Sequence, residues 1–278
     1  ASFQSGIANN GTFTAGSGVY TFDTNTQSLR GTLTIPNVTV TGVTLINNNN
    51  LTVSSALNGT GDLTQAIGSN LTLNGTVGIS TLNAINSGNS VTYNGASQTI
   101  FATSYNNLTI NQTSGDATIS GATRVNGVLS LTAGNVSLGT NILTLGPSAT
   151  APAPTGIVLA SGGGEIRKEY NGTGSFTFPI GDNTGSTDSS PIQVNVTAGS
   201  FSSAYVSARV VNSKHPNNAS ATNYLNRYWI ISQSGISGAT ADITGTYIGA
   251  DVTGAAGATA GAYLSGTFDQ TSNPWVKG

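Results

Sequence analysis

The 278-residue sequence has no cysteine, no methionine and one histidine, and only 6% of its residues are charged. Each shortage excludes something. Without cysteine there is neither a disulfide framework nor a thiolate metal site. A net charge of −2 provides no clustered basic face, so nucleic acid is excluded as a partner. No run approaches the ~20 apolar residues of a membrane-spanning helix. No basic and then apolar leader opens the chain at Ala1, as expected where a signal peptide has been removed or lies outside the sequence. What remains is a chain of β-formers (Val, Ile, Leu, Thr, Tyr) and turn-formers (Asn, Gly, Ser). Polar and apolar residues alternate with a period of two, so the low charge does not mean disorder.

The alternation is itself repeated. Leu33, Leu51, Leu71, Val91, Leu108 and Leu129 each open a run such as Leu71-Thr72-Leu73, at spacings of 18, 20, 20, 17 and 21 residues. A period near 20 marks a solenoid, one turn being two or three short strands and their corners. Leucine and valine should then point into the bore, with threonines 34, 52, 72, 92 and 109 facing outward. A longer echo is also present. Phe22 through Leu29 matches Tyr93 through Ile100, and Asn37 through Val40 matches Asn107 through Ile110, at offsets of 71 and 70. This predicts two stacked copies of a unit of about four turns.

The segment from Pro147 to Thr155 breaks the pattern with three prolines, and the charge changes with it. Five charged residues precede position 160 and thirteen follow. The sequence therefore predicts an all-β chain with two domains: a parallel β-helix (β-solenoid) over residues 1–150 and an antiparallel β-sandwich over 151–278. The strands expected in the sandwich are 165–170, 175–179, 192–198, 204–211, 224–232, 241–247 and 267–269. With no closing strand evident at the end of the chain, the sandwich reads as one strand short.

Several phrases carry a resemblance. The segments 11–18 (GTFTAGSG), 91–95 (VTYNG) followed by 98–100 (QTI), 106–110 (NNLTI) and 125–129 (VNGVL) resemble the repeats of large cell-surface proteins of Bacteroidota. Segments 174–181 (GSFTFPIG) and 225–229 (LNRYW) are similar to the module that follows such repeats. In that family Phe-Pro-β-Gly is followed closely by a Tyr-Arg-Pro-like segment; here Asp182 through Ser190 intervene before Pro191. The family is exported by the type IX secretion system and includes adhesin-like and filament-forming members. The resemblance implies an extracellular or cell-surface role and no reaction.

Residues able to do chemistry are few. His215, in a polar loop before Pro216, is the one possible base of a Ser–His–Asp triad. Asp23, Asp62 and Asp116 are the carboxylates of the first part. Asp62 and Asp116 lie nearly three turns apart, about 14 Å along the axis at ~4.8 Å per turn, which is too far for a glycosidase pair. An enzyme is not expected. Asp182, Asn183 and Asp188 share one loop and offer oxygen ligands of calcium type, without EF-hand spacing; no other cofactor is implied. Tyr224, Tyr228 and Trp229 could form a sugar platform or a core. Ala1, Ser2, Phe3, Gln4, Ser5, Gly6 and Ile7 precede the first clear repeat and could be donated as a strand to a neighbouring chain.

These observations favour a structural protein: a subunit or segment of a surface filament or adhesin stalk that self-associates through solenoid ends and strand addition. The alternatives are an adhesin module binding surface glycans and, behind it, an ice-binding face on the threonine row.

Overall fold

The computed structural model describes residues 1–152 and 154–254, together with the backbone of two short paired strands, Gly266–Phe268 and Trp275–Lys277. The described residues are almost entirely β, built on a parallel solenoid of about nine turns. The strands of successive turns stack into three ladders, and among the described residues the front one is shorter than the other two.

The front ladder joins residues 32–35 and 50–53 to strands Asn70–Leu73, Ser90–Tyr93, Asn107–Asn111 and Leu129–Ala133, all parallel. Its register is the one the spacing predicts: Leu33, Leu51, Leu71, Val91, Leu108 and Leu129 are successive partners. So are Thr34, Thr52, Thr72, Thr92 and Thr109. The apolar row is fully buried. The threonines keep partial or full exposure, as side-chain alternation across a pleat requires.

The second ladder climbs from Ser2–Phe3 through Val19–Phe22, residues 37–40, 56–59 and 76–79. It resumes with Thr99–Ile100, Ala117–Ile119, Val136–Ser137, Val158–Leu159 and Ile180–Asp182. The third begins at Ile7–Ala8 and runs through Gln27–Arg30, Thr44–Asn47 and residues 62–65 to 81–83. It continues as Ser104–Tyr105, Thr123–Val125, Ile142–Leu145 and Glu165–Tyr170. Corners bring backbones close together. At Gly59, with φ of 122°, a Cβ would collide with the Val40 carbonyl, so this corner tolerates only glycine.

Two expectations about organisation are corrected. The 71-residue echo does not mark stacked copies: Phe22 lies on the second ladder and Tyr93 on the front one. The matched phrases are one face out of phase, because 71 is not a whole number of turns. The expected boundary at 150/151 is also crossed by the ladders. Val158–Leu159 stacks on Val136–Ser137, and Glu165–Tyr170 stacks on Ile142–Leu145. The proline segment is a long corner between turns.

After Glu165–Tyr170 the pairing turns antiparallel. The 20-residue strand Ile192–Val211 lies against that rung with residues 204–208 and against Gly174–Phe178 with residues 192–196. The 18-residue strand Tyr228–Gly245 runs along its far side. These strands belong to one sheet that continues the third ladder, and the architecture the described residues show is the all-β solenoid with this antiparallel extension. The expected pair 192–198 and 204–211 is one strand whose register shifts between Val196 and Tyr205, so the expected break is an irregularity within a ribbon. Strands 224–232 and 241–247 are likewise replaced by Tyr224–Leu225 and the long strand. At the end of the chain, Trp275–Lys277 does pair, with Gly266–Phe268; Asp269 lies outside the described residues.

Candidate functional site

The loop expected to bind calcium folds around an arginine. Asp182 ends the last rung of the second ladder, and Asp188 pairs back onto it in the short antiparallel strand Asp188–Ser189. Both face the guanidinium of Arg227, which is wholly buried: Nη2 lies 2.9 Å from Asp182 Oδ2 and 3.6 Å from Asp188 Oδ2. A third carboxylate, Asp251, approaches Nε at 3.0 Å. Nη1 donates to Ser190 Oγ. The Nη2–Asp182 and Nε–Asp251 contacts have ion-pair lengths without hydrogen-bond alignment. Asp182 Oδ1 accepts from the Thr184 amide (3.0 Å) and from Asn212 Nδ2 (2.9 Å); Asp251 Oδ2 accepts from the Ile248 amide (3.1 Å).

Asn183 is exposed and takes no part in these bonds. The structure therefore brings Asp182 and Asp188 together around a cation the chain itself supplies. A metal there would have to displace Arg227, and no group of three His, Cys, Asp or Glu side chains placed to hold a metal ion occurs among the described residues. A buried ion pair of this kind is more a device for specificity than a source of net stability. Here it ties the last solenoid rung to Asn212, to the head of the Tyr228–Gly245 strand and to the Tyr224–Leu225/Val252–Thr253 pair. Sequence reading missed Arg227 and Asp251. The one available signal was an arginine inside an aromatic β-run, in a chain with little charge.

The N-terminal segment is occupied within its own chain. Ser2–Phe3 pairs with residues 21–22 and Ile7–Ala8 with residues 29–30, and the Ala1 ammonium donates to the Val19 carbonyl at 2.7 Å. Phe3 stacks on Tyr20 and Phe22. Gln27 holds the first corner, accepting from the Gly6 amide (3.0 Å) and donating to the Phe3 carbonyl (2.5 Å). Residues 1–7 are thus the first turn of the solenoid.

The aromatic trio is partnered rather than displayed. Lys214 Nζ sits 4.9 Å from the Tyr224 ring centre, and His215 packs edge-on to Tyr228 at 4.8 Å. Trp229 donates from Nε1 to the Ser190 carbonyl (2.9 Å) beside the Arg227 cluster. His215 Nδ1 accepts from the Asn217 amide at 3.2 Å, the opposite of the donation to a carboxylate that orients a catalytic imidazole. Asp62 lies on the third ladder, paired with Thr44 and Thr81, while Asp116 precedes a strand of the second and accepts from Asn135 Nδ2 (2.8 Å).

Buried amides, also missed, do the corner work. Gln98 Nε2 donates to the Leu73 and Gly75 carbonyls (2.9 and 2.8 Å), and its Oε1 accepts from the Gly95 amide (2.6 Å). Gln112 Oε1 accepts from the Gln98 amide at 2.9 Å, and Asn47 Nδ2 donates to Gln65 Oε1 at 2.8 Å. Such bonds satisfy backbone groups that the bends would otherwise strand. Glutamine just before a short β-run at a corner was the legible sign, present at both Gln27 and Gln98.

Open strand edges lie at two places. Among the described residues, Tyr228–Gly245 pairs on one side only, and its residues 237–244 are all exposed, Ile243 at 46%. The first-turn strands likewise pair on one side only. Among the described residues no helix is long and apolar enough to cross a membrane. Compared with known proteins, the chain matches no family model, no curated protein and no solved structure.

Proposed function

We propose that this chain is a structural element of an extracellular filament or adhesin stalk, extended by self-association through unpaired strand edges. One observation carries the reading: the fold closes one end of its solenoid and leaves edges open elsewhere. The last rungs are covered by antiparallel strands, whereas the first turn and the 18-residue strand Tyr228–Gly245 keep one side unpaired among the described residues. Natural sheets guard long edges with lysine, proline or brevity. This strand has none of the three, and only Asp242 and the register shifts opposite Val196–Tyr205 interrupt its edge. A free edge of that length suits strand addition from a second copy. The surface location rests on the resemblance of the repeats to exported Bacteroidota proteins.

The test is sedimentation over a wide concentration range, with micrographs of the same samples. Elongated assemblies that weaken in Ile243→Lys support the reading. A strictly monomeric chain that forms no fibres leaves only a stalk segment within a longer polypeptide.

A second reading, ice binding, is favoured by the threonine row from Thr34 to Thr109, which is in register over five turns. Absence of thermal hysteresis at millimolar protein removes it.

A further inference from the structure

The inward row of the third ladder runs Tyr105, Val125, Leu145 and then Lys168. The first three are fully buried, and the fourth is a lysine only 6% exposed. An ammonium in a core row is costly unless it is hydrogen-bonded and paired. Lys168 Nζ donates to the Gly146 and Pro147 carbonyls, both at 2.6 Å, and lies 5.6 Å from the Phe176 ring centre. It enters none of the ion pairs among the described residues. Its sequence neighbour Glu169 is held by Arg124 through two 2.5 Å bonds on the outer side of the ladder. The other titratable groups on the strands beside it are Glu165, Arg167, Tyr170, Tyr205 and Arg209. Of these, Arg167 is engaged by Glu165 at 2.6 Å and lies over the Tyr205 ring.

The lysine also opens onto space. A groove of about 400 Å³ lies over it, walled by Pro147, Thr150, Pro152, Ser175 and Phe176. A cation lining a groove of mixed polar and apolar residues, with two of its three N–H bonds used and its one nearby carboxylate, Glu169, already bonded to Arg124, is half of a recognition site.

We propose that the groove over Lys168 binds a carboxylate group, the buried ammonium supplying the charge and Pro147, Pro152 and Phe176 packing against the apolar part of the ligand. The ligand is a small organic acid or the free carboxyl terminus of a peptide. The site is independent of the filament reading, since it uses neither open edge. Burial pushes the Lys168 ammonium down to about 8, so an incoming carboxylate should push it back up.

The sequence has three lysines, Lys168, Lys214 and Lys277, so ¹³Cε-lysine labelling resolves each one. The full chain is titrated from neutral to alkaline pH alone, with sodium acetate, with N-acetyl-glycyl-glycine, and with the amide of that peptide, each at up to ~0.1 M. The expected result is a Lys168 midpoint that rises by about half a unit or more with an acid and stays put with the amide, while Lys214 does not move. A stronger response to acetate identifies a small acid as ligand; a stronger response to the peptide identifies a chain terminus. In Lys168→Met, which restores the apolar row, binding of the acid should fall at least about tenfold, a loss of ~1.4 kcal/mol. A Lys168 midpoint that ignores both acids, or that responds equally to the amide, overturns the proposal. The wild-type titration decides the matter even if the methionine variant does not fold.

Discussion

From Val19 to Leu159 each turn restates the one before, and several buried side chains are met by neighbours of their own kind: Asn47 by Gln65, Gln98 by Gln112, Tyr93 by Tyr105. From Ile192 to Gly245 nothing repeats, and the junction with the last rung hangs on one arginine among three aspartates. A periodic fold can spread polar satisfaction evenly along its axis. A closure occurs once and needs a unique set of partners. Charge is accordingly scarce before residue 160 and concentrated after it.

The sharpest way to break this contrast is Arg227→Met. It strands three carboxylates, two of them almost fully buried, and should cost about 3–5 kcal/mol in chemical denaturation. The loss should fall on the ribbon, with hydrogen exchange of the front ladder little changed. If the whole molecule loosens together, the two regions are one cooperative unit. Leu71→Ala, in the middle of the front row, should cost about 2–5 kcal/mol, with exchange rising chiefly in the turns beside it.

Alkaline pH separates the regions by sign. Lys168 titrates lower in the folded chain than in the unfolded one, so between pH about 8 and 10 the unfolded chain holds more protons and stability should rise, on the order of 1–2 kcal/mol. Above pH about 10 the buried phenols reverse the slope. Burial pushes Tyr93 and Tyr170 up to about 12 and also raises Tyr105 well above an ordinary phenol, so stability is lost as the unfolded tyrosines ionise. Lys168→Met should erase the rise and keep the fall. The smallest effect is expected at the solvent-facing amide ladder, where Asn70 Nδ2 donates to Asn50 Oδ1 at 2.9 Å. Asn70→Ala should cost under about 1 kcal/mol by thermal melting.

The same contrast decides how much could be read from sequence. The Leu-Thr-β phrases gave the front register residue by residue, because a solenoid needs each turn to place like over like. The expected strand 165–170 has the right bounds but the wrong setting. Its alternation is visible in sequence, while its parallel partner lies 23 residues back, across a proline corner that looks like a linker. The calcium reading found Asp182 and Asp188 because they are close in sequence. It missed Arg227 and Asp251 because the fold, and no local pattern, brings them there. Lys168 was invisible for the opposite reason: in the phrase Glu165-Ile166-Arg167-Lys168-Glu169 it looks like one more surface charge, and only the ladder shows that it takes a leucine's place.

The three ladders also fix how the molecule would bear a load. Between successive turns the hydrogen bonds run along the solenoid axis, so tension applied at its ends opens them one rung at a time, like a zipper. Nine turns at ~4.8 Å make a rod of about 40 Å whose resistance is that of its weakest rung. Among the described residues that rung is the first, where the second and third ladders contribute strands of two residues each and the front ladder none. The 18-residue strand Tyr228–Gly245 lies along a 20-residue partner, and pulling along the strands would shear many bonds at once. A rod of this design peels from its N-terminal turn long before its ribbon slides, and any neighbour that pairs with that turn strengthens the whole.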